Sequence, residues 1–306
     1  MSPPVNNSVL SPPEFGTPVS VWAAPVSSSL PDATSAHETR EAGEQVKRYS
    51  RLGPGRPRRY GPVIGPLLLL ALWTLGSLTG LIDHRTLSPP WVVVKTAGEL
   101  IASGRLWDNF STSLGRAAQG LFWGVLAGGL LGVVAGLSRI GEYVVDGPIQ
   151  IKRAIPTLAV IPLLMLWLGI GEGMKITTIA LIVFVPIYIQ THDSLRSIDS
   201  RFLELSETLG VSRGEFLRNV VLPGALPGFL LGLRFAVTSS WLALVVVEQV
   251  NSTAGIGYMI ELARTYGQTE VIIVGLTLYA FLGLGSDLLV RLLQRRVLRW
   301  RRTLED

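Results

Sequence analysis

The chain has 306 residues, is 48% hydrophobic and only 16% charged, and carries a formal net charge of +5. That balance excludes an ordinary soluble domain and suits a single bundle of membrane-spanning helices. Cysteine is absent, which removes disulfides, thiolate metal sites and cysteine nucleophiles; His37, His84 and His192 are too scattered for a ligand set, so neither a metal site nor a catalytic residue is expected.

Residues 1–59 are rich in Pro, Ser and charge and contain no apolar run long enough for a signal-peptide core. They read as a disordered cytoplasmic tail ahead of a transmembrane domain over 60–306. The tail ends in Lys47, Arg48, Arg51, Arg56, Arg58 and Arg59, a basic cluster of the kind that stays on the cytoplasmic side. The uncharged stretch Gly61 to Ile82 then predicts the first span.

Further spans are predicted over Ser113 to Leu137, Pro148 to Ile170, Lys175 to His192, Gly228 to Val250 and Val271 to Arg291. The fold class is therefore all-α and integral to the membrane, with six transmembrane helices and both termini inside. Of 27 Lys and Arg residues, twenty fall in segments this assigns to the cytoplasm, Lys152 and Arg153 among them; five, namely Arg85, Lys95, Arg105, Lys175 and Arg264, fall in outer loops. The asymmetry follows the positive-inside rule.

In the second span Gly120, Gly124, Gly128, Gly132 and Gly136 recur every fourth residue and line one face with bare backbone. Small residues let helices approach closely in lipid, where no hydrophobic force drives them together, and the face is read as a contact within the bundle ahead of a subunit interface. Pro156 and Pro162 in the third span and Pro186 in the fourth remove backbone donors and predict kinks. Irregular backbone at membrane depth is tolerable where it is buried in protein or lines a polar cavity, which points to a pathway. Pro156, Thr157, Gln190, Ser239, Ser240 and Glu248 are accordingly the candidate pathway residues. Arg116 and Arg234 lie near span ends and read as snorkelling.

Between the fourth and fifth spans, a loop over about 193–227 holds a helical hairpin from Glu204 to Pro223. Gly210 is placed to end its first helix in a left-handed cap, Ser212 and Glu215 stand at capping-box spacing for the second, and Pro223 is expected to stop that helix. A mere connector needs neither caps nor an apolar stripe, so the hairpin reads as a docking element. A DNA reader would need excess cations against phosphate, whereas Arg201, Arg213 and Arg218 are balanced by Glu204, Glu207 and Glu215. A helix lying on the lipid surface would carry a basic polar face, and this one is mixed. No Gly-x-x-x-x-Gly-Lys-Ser/Thr loop occurs, so uphill transport would draw its energy from another polypeptide.

The pattern Glu204, Gly210 and Val220-Val221-Leu222-Pro223 resembles the cytoplasmic signature of permease subunits of binding-protein-dependent ABC importers, with Leu205 and Ser206 where alanines are usual and Val220 for isoleucine. The resemblance implies the type I importer permease fold and makes Glu204, Ser206, Glu207, Thr208, Gly210, Leu217, Leu222 and Pro223 the residues that couple to the ATPase. Over about 61–300, the runs beginning at Ala154, Trp167, Phe184, Leu222, Gly232 and Gly255 are similar to permeases for aliphatic sulfonates, taurine and nitrate.

That resemblance implies a multi-pass protein of the cytoplasmic (inner) membrane, in contact with lipid but not nucleic acid, that performs no covalent chemistry and binds no cofactor itself. ATP and Mg would be used by two cytoplasmic ATPase subunits. An extracytoplasmic solute-binding protein would deliver cargo to a pair of permease subunits, identical in the expected arrangement. The cargo would be a small anion such as an aliphatic sulfonate or taurine, with nitrate or another small organic solute as the alternative. From other classes, a membrane scaffold and a passive channel remain open at this point.

Overall fold

A computed structural model describes residues 61–83 and 86–300. The N-terminal tail and its basic cluster lie outside the described residues. The regular elements among the described residues are all helical: α1 (Gly61–Leu78), α2 (Pro90–Ala102), α3 (Arg105–Leu137), α4 (Arg139–Ala154), a 3₁₀ turn (Thr157–Val160), α5 (Ile161–Leu168), α6 (Glu172–Arg196), α7 (Ser200–Thr208), α8 (Arg213–Phe216), a π turn (Leu217–Val221), α9 (Leu222–Asn251), α10 (Ile256–Thr265) and α11 (Thr269–Val297).

Four helical stretches are long and apolar enough to cross a bilayer: Arg105–Leu137, Glu172–Arg196, Arg213–Val250 and Thr269–Val297. The first expected span is shorter than its apolar run. α1 ends at Leu78, the chain turns at Gly80, and Ile82 folds back to donate its N–H to the Gly76 carbonyl at 3.2 Å.

The glycine ladder decides how the bundle is built. A Cβ placed on Gly120, Gly124, Gly128, Gly132 or Gly136 would meet Ile179, Val183, Phe184 O, Thr191 or Leu195 at 2.5–3.0 Å, so α3 and α6 touch backbone to side chain along the ladder. Partner numbers rise together, so the two helices run parallel. On the other side of α6, Gly228 and Gly232 of α9 pack against Ser194, Gln190 and the Pro186 carbonyl in antiparallel sense. α6 is thus clasped between two small-residue faces, and Ile179, Val183 and Ile187 form the centre of a core shared with Ala117, Ala236 and Leu244.

A parallel α3 and α6 require residues 138–171 to return across the full thickness. They do so as a broken span, which corrects the single kinked helix expected over Pro148 to Ile170. α4 climbs antiparallel beside α6: Glu142 pairs with Arg196, Asp146 accepts from the Tyr188 hydroxyl, and Lys152 donates to the Leu181 carbonyl. The chain then bends by 89° into the 3₁₀ turn and α5. Pro156 explains where this happens, since its ring pushes the preceding residue out of the helical region; Ile155 is extended at φ −89°, ψ 120°. Pro162 sits at the start of α5 and Pro186 inside an unbroken α6, so neither breaks a helix.

Candidate functional site

The hairpin is closed by local chemistry. Asp199 caps α7 by accepting from the Arg201 N–H at 2.9 Å. At its far end Gly210 stands at φ +65°, and the N–H groups of Gly210 and Val211 bond the carbonyls of Glu207 and Ser206 at 3.2 and 2.9 Å. These paired bonds satisfy two of the carbonyls that a helix end leaves open, and they require a left-handed residue that glycine supplies without a Cβ clash. Ser212 then starts α8 with a full capping box: its hydroxyl accepts from the Glu215 N–H, and the Glu215 carboxylate accepts from the Ser212 N–H.

Pro223 does not stop the second helix. α8 continues through the π turn, in which the Leu222 N–H reaches back to the Leu217 carbonyl, and merges with α9 into one span, Arg213–Val250. Proline lacks the N–H that a regular register would need, and the π turn supplies the offset at that point. The hairpin's second arm is therefore a direct extension of a membrane helix. Its base is fixed by Val221, Ala225 and Leu195 packed with Ile198 and Phe216. Its outer face is not covered: Phe202, Leu203, Leu205, Leu209, Leu217 and Leu222 are all exposed, and α7 has no buried residue. Glu204, Ser206, Glu207, Thr208 and Gly210 share this open tip, whereas Pro223 belongs to the root.

The candidate pathway residues do not form one surface. Pro156 is exposed and Thr157 half-buried at the break; Gln190 lies under Gly232; Ser239 is half-buried, and Ser240 is buried with its hydroxyl on the Val237 carbonyl. Glu248 is sealed inside the protein. It is 1% exposed, with Oε1 receiving Arg116 Nη1 at 2.7 Å and Oε2 receiving the Gly257 N–H at 2.8 Å and the Tyr279 hydroxyl at 3.2 Å. The Ser113 hydroxyl lies 2.8 Å from both oxygens and accepts the Ile256 N–H.

Arg116 overturns the snorkelling expectation. It is 4% exposed and spends its donors inside the protein, on Glu248, on the Ala254 carbonyl at 2.6 Å, and in a two-pronged pair with Glu172 at 2.6 Å for both bonds. Lys175, also buried, adds a 3.0 Å bond to Glu172. Two cations thus meet two carboxylates at the end of the bundle opposite the hairpin. The cluster ties α3, α6, α9 and α11 to the turn before α10, which Asn109 also holds by accepting from the Gly255 N–H. Gly255, at φ +119°, leaves room for the carboxylate, since a Cβ there would lie 2.4 Å from Glu248 Oε1. Arg234 pairs with Asp287, which itself bonds Arg291.

Residues 120–299 match the family described as binding-protein-dependent transport system inner membrane component. The chain belongs to this family. It is 39% identical over 258 residues to a Bacillus subtilis (strain 168) protein assigned as an aliphatic sulfonates transport permease, covering 83% of this chain and 93% of that one. An Escherichia coli (strain K12) protein assigned the same name is 42% identical, covering 79% and 92%, and the taurine transport system permease protein of that organism is 35% identical, covering 76% and 86%. Among solved structures, an amino acid ABC transporter superposes with a TM-score of 0.56 at 17% identity over 70% of this chain and 99% of that one, which supports the shared fold. The chain is accordingly a multi-pass membrane transport subunit of an ABC importer, and ATP hydrolysis resides in a separate component.

Proposed function

We propose that the chain forms, as two identical copies, the translocation pathway of an importer for aliphatic sulfonates or taurine. Two cytoplasmic ATPases that use ATP and Mg dock on the two hairpins, and an extracytoplasmic binding protein delivers cargo at the Arg116–Glu248 end. Both termini and the hairpin face the cytoplasm of a cell whose inner membrane holds the complex. The observation that carries the cargo assignment is the 39% and 42% identity, over most of each chain, to proteins assigned as aliphatic sulfonate permeases.

The hairpin explains how the partner's chemistry reaches the membrane. Closure of the ATPase pair on ATP draws the two hairpins together. Because the capped α8 runs without a loop into Arg213–Val250, displacement of the tip becomes rotation of a span, and the bundle passes between two packings as a rigid body. Release after hydrolysis resets it. Deletion of the gene is expected to abolish growth on an alkanesulfonate as sole sulfur source while growth on sulfate continues. Normal growth on several sulfonates, in a strain with no second sulfonate importer, would reassign the cargo to nitrate or another small solute.

A further inference from the structure

Lys152 was counted with the cytoplasmic charges on sequence, and the fold places it elsewhere. Its ammonium bonds the Leu181 carbonyl and the Thr157 hydroxyl, the latter at 3.1 Å. Leu181 stands nine residues from the start of α6 and fifteen from its end. At 1.5 Å per residue these are depths of about 14 and 22 Å from the two ends, close to the middle of a hydrocarbon layer about 30 Å thick.

No carboxylate pairs with Lys152 among the described residues; both of its partners are neutral oxygens. The carbonyls ending α4 offset only about half a charge. An ammonium carries three donors, so one remains after these two bonds, and Thr157, which accepts from the lysine, keeps its own O–H to give. Around it Arg153, Ala154, Ile155 and Pro156 are exposed. Ile155 is extended and its N–H bonds the Lys152 carbonyl, so the chain leaves the helix at mid-depth, where irregular backbone is held inside protein or beside a water-filled cavity and not against lipid. Two separate observations, the uncompensated charge and the irregular backbone, therefore turn this break away from the bilayer and toward a polar cavity.

We propose that Lys152 and Thr157 form the mid-membrane contact for the anionic head of the cargo, the sulfonate oxygens accepting from the free ammonium N–H and the Thr157 hydroxyl. This assignment rests on the sulfonate reading above. It makes Lys152 the specificity residue that favours anions over neutral solutes of the same size. The break at Pro156 is then the device that builds the site, because it brings the Thr157 hydroxyl beside the lysine ammonium at 3.1 Å.

The test is uptake of radiolabelled ethanesulfonate by the permease assembled with its ATPase and binding protein in lipid vesicles. Lys152→Gln keeps a donor and removes the charge; uptake is expected to fall on the order of tenfold or more, because a charge-assisted contact is lost. Lys152→Arg is expected to keep most of the rate. Wild-type uptake in Lys152→Gln, with wild-type protein carrying ethanesulfonate normally, overturns this site and leaves the sulfonate reading standing. If wild-type protein carries no sulfonate, that reading falls first, and equal nitrate uptake by wild type and Lys152→Gln then overturns the lysine's role as well. Should Lys152→Gln not accumulate in the membrane, Thr157→Val serves in its place: KM for ethanesulfonate rises several-fold with ATP hydrolysis unchanged, and an unchanged KM counts against the site.

Discussion

Glu248 and Arg116 show at the scale of single residues what a buried pair costs when broken. Both side chains are sealed, at 0% and 4% exposure, and each is bonded several times over. Replacing Glu248 by Ala leaves the guanidinium with the half-exposed Glu172 as its one carboxylate partner, beside the Ala254 carbonyl, and leaves the Gly257 N–H without its acceptor. Removing one partner of a buried pair costs about 3–5 kcal/mol, whereas removing both together costs less. Glu248→Ala is therefore expected to lower the melting temperature in detergent sharply, and Arg116→Met with Glu248→Leu to recover part of it. Additive losses in the double variant would mean that the two residues do not act as a unit. The cluster was not legible in the sequence, because the bonds that draw α3 to α6 and to the turn before α10 join positions 56 to 146 apart. A charge near a span end looks the same in sequence whether it snorkels or turns inward; only the arrival of Glu172 and the turn at Ala254 beside Arg116 decides it.

The elements divide by whether their determinants are local. The hairpin's caps were readable because each lies within a few residues: Gly210 follows α7 by two positions, and Ser212 and Glu215 cap each other at three. The ladder was readable because a fixed spacing of small residues allows few uses in lipid. The break at Pro156 was half-readable. Proline marks the point at which the helix ends, but the 89° turn is set by where α5 finds its packing against α6, and that is a long-range matter. So was the run of α8 into α9 past Pro223, which depends on a π turn. On this footing Gly128→Leu is expected to cost roughly 1 to 3 kcal/mol, as overpacking does, since its side chain would enter the Phe184 carbonyl and Ile187. Unchanged stability in detergent would place that face against lipid.

Gly210 makes a different prediction from the ladder glycines. A Cβ on Gly210 would meet nothing within 4 Å, so the cost of a side chain there is the strain of φ +65° and not a clash within the chain. Gly210→Asp is thus expected to leave insertion and the bundle's melting temperature near wild type while transport in vesicles fails, because the tip proposed to meet the ATPase is altered. Crosslinking from a cysteine at Ser206 or Thr208 to the ATPase, lost in this variant, reads the contact directly. Wild-type transport by Gly210→Asp would remove the hairpin from the coupling path.

At the scale of the whole molecule, the bundle has two chemically different ends joined by three helices, α3, α6 and α9. One end presents an open apolar hairpin; the other is closed by four charges that cancel. With the hairpin in the cytoplasm as proposed, moving Lys152 and the adjacent Arg153 to mid-depth leaves eighteen cytoplasmic cations against five outside, an asymmetry that still follows the positive-inside rule. The orientation is open to a direct test because the chain has no cysteine of its own. Single cysteines at Ser206, on the hairpin, and at Ser252, beside the buried cluster, are expected to show opposite sidedness in whole cells. A membrane-impermeant thiol reagent should label Ser252→Cys from outside after partial opening of the turn, and Ser206→Cys only in inverted vesicles. Ser252 is half-buried, so its labelling should be slow and should quicken when Glu248→Gln weakens the hold on Gly257. Labelling of Ser206→Cys from outside would invert the whole scheme, placing the ATPase site and the cargo entrance on the wrong faces, and no rearrangement of the individual contacts described above would rescue it.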